Sequence, residues 1–223
     1  MSGADSHYID QPGSHHDSRE YNRADHGRKS RDHQRRNAGD FDGNDEAAAE
    51  IIQNTAKEHH APCREIGKNA FEIREVTRKH IAFSRTNAYH KDVIWQVPIC
   101  GIYQVKNAEI AIEAAQCLLG NKPEHEEMWR DAVAKIQWQG RMEECADHFI
   151  IDGAHNPGAI EAFVESVRAL KEEEPPILIF SAVSDKKYEQ MIEYLCRHLQ
   201  TKAFVVTEIE DKRRVPAGEL GRF

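Results

Sequence analysis

The sequence predicts an α/β protein whose C-terminal part is a small, mostly parallel, doubly wound sheet. Three observations carry this. From about residue 138 the chain alternates short apolar runs with amphipathic helical patterns. Two of those runs, Ile177-Leu178-Ile179-Phe180 and Phe204-Val205-Val206, are continuously apolar, the pattern of strands covered on both faces. Helical stretches separate the runs, and parallel strands need such crossovers. Three strands make a small sheet of this kind, so the domain reads as incomplete at its C-terminal end.

The elements follow in order. Residues 1–43 are nearly all polar and carry no apolar period, so they read as a poorly ordered tail. Its histidines (His7, His15, His16, His26 and His33) have no spacing that suits tetrahedral metal ligation. Residues 44–137 read as the remainder of a first domain. It opens with a helix in which Ala48, Ile51, Ile52 and Ala56 recur at helical spacing. "PCREIG" is then a short strand, and alternation such as Val93-Ile94-Trp95 gives two or three sheet strands before Gly101. "YQVKNAEIAIEAAQCLLG" is a strong helix with a small-residue face of Ala108, Ala111, Ala114, Ala115 and Leu118, stopped by Gly120. A further helix runs from about Pro123 to Ile136, its proline and acidic first turn suiting a helix start. Residues 138–223 form the second domain. "DHFIID", "PPILIFSA" and "KAFVVTEI" are its strands; "PGAIEAFVESVRAL" and "KKYEQMIEYLCRHL" are its helices.

Composition excludes several function classes. Apolar residues make up 39% and charged residues 30%, which is thin for a fully packed globule and fits an unpacked tail. A net charge of -8 lacks the basic footprint of a nucleic-acid binder. No run of about 18 apolar residues is present to span a membrane, and the N-terminus lacks a signal-peptide pattern. Five scattered cysteines, an odd number without a C-x-x-C pair, suggest reduced thiols and a cytoplasmic location. Cys117 and Cys196 fall within apolar helical patterns and read as small core residues.

Chemistry concentrates at "IIDGAHNPGAIEAF". It reads as a strand end, a tight corner and a helix start. Ligands of open parallel sheets bind beyond the carboxyl ends of the strands, where Asp152 stands. Gly153 allows close backbone approach, Asn156 is a good N-cap, and Pro157 suits the first helical position. Asp152 either accepts hydrogen bonds from a vicinal diol such as ribose or merely caps the helix; His155 can donate, accept or stack. Arg141, beside Gly140, is either a phosphate ligand or an ordinary surface arginine. Gln104 and Asn107, three apart at a helix start, either read an adenine edge or, for Asn107, cap the helix.

Together "GIYQVKNAEIAIEAAQCL", "WQGRMEE", "IIDGAHNPGAIEAF", "SAVSDKKYEQMI" and "RRVPAGEL" occur in the order found in folylpolyglutamate synthases, including the bifunctional dihydrofolate synthases of the Mur-ligase superfamily. The resemblance covers about residues 45–223. It implies the end of a Mur-ligase central domain followed by an incomplete Rossmann-like glutamate ligase domain. It implies ATP-dependent phosphorylation of a folate carboxylate, then attack by L-glutamate on the acyl phosphate. Carried over by motif, Gln104 and Asn107 match the adenine contact, Arg141 the phosphate contact, Asp152 the ribose contact, and His155 the histidine of that motif. Lys186, in Asp185-Lys186, matches a lysine that orients glutamate or phosphate. Ser181 sits at the mouth of the second strand of this domain, and Arg214 to Leu220 match the family's last helix-starting motif. His155 and Lys186 are thus the catalytic candidates, and no metal ligand is assigned.

The departures are as informative. No Gly-rich turn ending in Gly-Lys-Ser occurs, and its backbone amides and lysine are what cradle phosphates. In the family that P-loop, the Mg²⁺ ligands and most of the folate pocket precede the matched part. Tyr103 stands where the family usually has His. The expectation is an ATP- and Mg²⁺-dependent ligase fragment that is inactive alone, with a separate P-loop-bearing chain as a candidate partner. The competing expectation is a nucleotide-binding or interaction module that keeps only the fold.

Overall fold

The structure, a computed structural model, describes residues 39–42, 46–67, 69–86, 93–120 and 122–223. The expected tail therefore lies outside the described residues, its histidines included, except for residues 39–42. Those four are a correction to the expectation: they form strand β1 (Gly39–Asp42), paired with β2 (Cys63–Ile66). A two-strand pairing satisfies backbone groups without any apolar pattern in the sequence, so periodicity gives no sign of it.

By spatial contact the chain divides into Met1–Glu65 and Ile66–Phe223. In the first unit, helix α1 (Glu46–Glu58) buries Ala48, Ala49, Ile52 and Ala56 at helical spacing. Ala49 and Ile52 pack with Cys63, and Gln53 Nε2 donates to Glu65 at 3.1 Å.

The second unit begins with an antiparallel sheet of β3 (Phe71–Val76), β4 (Ile81–Arg85) and β5 (Ile94–Val97), with β4 central. All five residues of β4 are buried. Helix α2 (Tyr103–Leu119), closed by Gly120 at φ +80°, and helix α3 (Pro123–Val133) complete this half. Their core joins Ile81, Phe83, Trp95 and Val97 to Val105, Ala108, Ile112, Trp129 and Val133. The buried face of α2 is not the expected alanine stripe. It carries Gln104, Val105, Ala108, Glu109, Ile112 and Glu113, while Ala111 is exposed and Leu118 is 81% exposed. The reason is Arg85, which is 1% exposed. Its Nε and one terminal nitrogen donate to Glu109 at 2.7 and 3.0 Å, and it also bonds Glu113. A buried cation makes carboxylates tolerable where alanine counting places solvent.

Buried packing continues across 137/138, where the sequence divides the domains. Ile99 and Cys100 from one side and Met142 from the other form a single buried cluster, with Ile136, Ile150 and Phe163 packed on it.

The C-terminal half departs from the expected three-stranded parallel sheet. "DHFIID" belongs to a hairpin, β6 (Glu143–Ala146) against β7 (Phe149–Ile151), antiparallel and turning at Asp147-His148. Only β8 (Ile177–Phe180) and β9 (Ala203–Val206) pair in parallel, with Ile177 opposite Ala203 and Phe180 opposite Val206. Helices α4 (Pro157–Ala169) and α5 (Tyr188–His198) cover one side of that pair. Their core includes Ile160, Val164, Phe180, Met191, Ile192 and Leu195. The strands are not covered on both faces: Ile177 and Ile179 are 60% and 56% exposed. Short helix α6 (Ala217–Leu220) follows, in the segment expected to start a helix. Cys117 and Cys196 are exposed rather than core residues, because each lies on the outer face of its helix.

Candidate functional site

The corner is organised around one carboxylate. The Tyr103 hydroxyl, at the start of α2, donates to Asp152 Oδ2 at 2.8 Å. The Met142 N–H donates to the same oxygen at 2.9 Å, and the Ala154 N–H donates to Oδ1 at 2.8 Å. Donors 49, 10 and 2 positions away in sequence thus converge on Asp152. Close packing allows it. Gly153 donates its N–H to Gly140 O at 2.7 Å, and a Cβ there would stand 3.3 Å from that oxygen. At Gly101 a Cβ would lie 2.9 Å from the Tyr103 ring, so the glycine makes room for the ring that reaches Asp152.

The remaining corner residues are set by local rules. Asn156 caps α4, its side chain accepting from the Ala159 N–H at 2.9 Å, and Pro157 is the first helical residue. His155 is exposed, and its Nδ1 donates to Gly153 O at 2.8 Å. A carbonyl only accepts, so in this bond Nδ1 carries a proton.

Electrostatics follow the geometry. Burial, then the hydrogen bond to the Asp152 carboxylate, push the Tyr103 phenol well above its ordinary range; Arg141 pulls it back a little. Arg141 therefore stands within electrostatic reach of this network, half-buried, with no hydrogen bond or ion pair to a described residue. Cys100, fully buried, donates its thiol to Met142 O at 3.0 Å. Burial pushes that thiol up to about 11.

The expected site residues are only partly brought together. Tyr103 ties the α2 start, and so Gln104 and Asn107, to the corner that holds Arg141, Asp152 and His155. Gln104 is buried and accepts from Asn107 Nδ2 at 2.8 Å. Asn107 is not an N-cap, since α2 begins four residues earlier at Tyr103. Lys186 stands apart. It lies in a turn whose N–H donates to Val183 O, and among the described residues no hydrogen bond or ion pair joins its side chain to the corner. Its neighbour Asp185 pairs with Arg213 at 3.3 Å. Among the described residues, no group of three or more His, Cys, Asp or Glu could hold a metal ion.

Two contributors escape motif reading. Tyr103 is visible only as a tyrosine before the Gln104 carboxamide, and its partner lies 49 residues away. The Arg85–Glu109–Glu113 cluster leaves a faint trace, two glutamates four apart on a helix that also carries an apolar face.

Residues 140–222 match the family described as Mur ligase, glutamate ligase domain. Part of the chain has curated relatives among the folylpolyglutamate synthases. It is 27% identical over 155 residues to a dihydrofolate synthase/folylpolyglutamate synthase of Bacillus subtilis, covering 66% of this chain and 36% of that protein. It is 31% identical over 110 residues to a folylpolyglutamate synthase of Lacticaseibacillus casei, covering 48% of this chain and 26% of that protein. Among solved structures it resembles Mycobacterium tuberculosis folylpolyglutamate synthase complexed with ADP and AMPPCP, with TM-score 0.76 at 16% identity. That likeness covers 96% of this chain and 48% of the other. The apo form of the L. casei enzyme gives TM-score 0.61 at 20% identity over 81% of this chain and 44% of that one. At such identities the structures establish the fold alone, a mixed α/β architecture, here with small sheets. The chain spans between a quarter and half the length of these relatives.

Proposed function

We propose that this chain carries the nucleotide side of a ligase that adds L-glutamate to folate at the expense of ATP, and that it is inactive alone. The observation that supports this reading most is the Asp152 network, which joins the α2 start, Arg141 and the His155 corner into one site. In the proposed reaction a folate carboxylate oxygen attacks the γ-phosphorus of ATP and ADP leaves. The glutamate amine then attacks the acyl carbon, inorganic phosphate departs, and the amine loses a proton as the amide forms.

Each residue has a role the geometry can supply. Arg141, which has no hydrogen bond or ion pair among the described residues, offsets phosphate charge. Asp152 keeps one oxygen, Oδ1, with a single internal donor, so it can still accept one ribose hydroxyl. His155 is exposed, and in its neutral form Nε2 is able to take a proton at the corner. Gln104 and Asn107 pair with each other, which leaves the Asn107 carbonyl for the adenine edge. Lys186 is assigned to glutamate or phosphate through its motif alone. Bound Mg²⁺ would neutralise phosphate charge, but the described residues do not fit it, and no step here is routed through it.

Phosphoryl transfer relies on positioning and charge stabilisation that a P-loop normally gives. We therefore assign that part to a separate P-loop-bearing chain or segment. The five free cysteines support a reducing, cytoplasmic setting.

The test is ADP release from folate, L-glutamate and ATP. The chain alone is expected to match the protein-free blank; with a P-loop-bearing N-terminal half of a folylpolyglutamate synthase added, folate-dependent ADP should appear. Arg141→Gln should remove it. Turnover by the chain alone overturns the incompleteness. Silence with the added half overturns the ligase reading in favour of an interaction module, which the bare β8–β9 face supports.

A further inference from the structure

We propose that the recess between the β3–β4 turn and residues 134–139 binds a small organic anion carrying a flat apolar ring. This site adjoins the Asp152 corner through Met142 and does not depend on the ligase reading. The recess encloses about 530 Å³, within the usual range for small-molecule pockets. Its apolar lining comes from Pro98, Ile99, Ile136 and Met142.

Two features give it a chemistry. The first is Trp138, which lines the recess and is 58% exposed, whereas the other two tryptophans, Trp95 and Trp129, are buried. An exposed indole beside a concave apolar wall offers a face for ring stacking. The second is the balance of charge. Lys79 and Lys135 line the recess, and neither ammonium has a hydrogen bond or ion pair with a described residue.

Each acid in the recess has a partner, a cation only for Glu144. A Glu143 carboxylate oxygen accepts from the Gly140 N–H at 2.7 Å. Glu144 pairs with Arg78 at 3.4 Å and accepts from the His148 N–H at 3.3 Å. Arg78 is itself held by Glu172 at 3.4 Å. Lys79 and Lys135, 56 positions apart in sequence, both line the recess. An anion between them with its ring against Trp138 satisfies both features. An inorganic anion uses only the charge, and a neutral aromatic uses only the indole.

Isothermal titration of the full chain with 2-naphthoate tests this. The expected result is saturable one-to-one binding. Replacing both lysines (Lys79→Gln with Lys135→Gln) should weaken it about tenfold, the combined effect of two partly solvated charge contacts. Trp138→Ala should weaken it as well, while Lys202→Gln, an exposed lysine outside the recess, leaves it unchanged. All four substituted side chains are exposed, and far-UV circular dichroism confirms that each variant is folded. The proposal is overturned by absence of saturation, by equal binding to the double-lysine variant, or by inorganic phosphate or 2-naphthalenemethanol binding as tightly.

Discussion

The two halves of the second unit solve the burial problem in opposite ways. The half built on β3, β4 and β5 takes charge into its core, surrounding Arg85 with Glu109 and Glu113 and laying it over the Trp95 ring at 5.7 Å. The half built on β8 and β9 leaves apolar surface outside, with Ile177, Ile179 and Val205 on an uncovered face. In one half a polar residue type conceals a core position; in the other an apolar run conceals an exposed one. Residue type alone therefore misreads both, in opposite directions, wherever a partner group decides burial.

The largest effect should come from breaking the first half. Arg85→Met leaves two buried carboxylates without this cation and should cost about 3–5 kcal/mol in denaturant unfolding of the chain. If the loss is under about 1 kcal/mol, the charges are not part of the core and the contrast fails. Next comes the seam between the halves. Asp152→Ala strands the Tyr103 hydroxyl and the Met142 N–H, and should cost about 1–3 kcal/mol.

The seam also predicts a pH response. The Cys100 thiol rises from 9.0 to about 11 on folding, so the native state holds its proton longer than the unfolded chain. Its contribution is fully present below pH 9 and is lost as pH climbs towards 11, with Tyr103 acting in the same direction. Unfolding followed across that window should show stability falling by on the order of 2 kcal/mol, and Cys100→Ala should flatten the slope. The smallest effect belongs to the bare face. Ile179→Thr should change stability by no more than about 0.5 kcal/mol. A loss of several kcal/mol in the same unfolding assay would mean that this face is packed after all.

Legibility in the sequence follows the same division. Local signals are legible: the Asn156 cap, the Pro157 start and the Gly120 stop all act within a few residues of themselves. Helices α1, α2 and α5 are visible for the same reason, although α3 ends at Val133 rather than Ile136. The hairpin β6–β7 is not visible as one, because "DHFIID" is as apolar as a parallel strand and only its pairing with Glu143 and Glu144 makes it antiparallel. At the corner, spacing singles out Asp152 and His155 but leaves open whether Asp152 serves ligand or chain. Its three internal donors come from Tyr103, Met142 and Ala154, two of them distant in sequence, and no window of neighbouring residues contains them together.

The Asp152 tie also has a consequence in time. Breaking any one of its bonds separates segments that otherwise have no local reason to part, so they should open together as one cooperative unit. The Met142 and Ala154 amides, both bonded to Asp152, should exchange with deuterium at matching, slow rates. The Ile102 amide, which donates to Ser166 Oγ at 3.1 Å at the same seam, should follow them. The exposed hairpin turn at Asp147 should exchange far sooner. A single shared opening would make this carboxylate a hinge pin of the C-terminal half, its three hydrogen bonds acting beside the buried Met142 cluster.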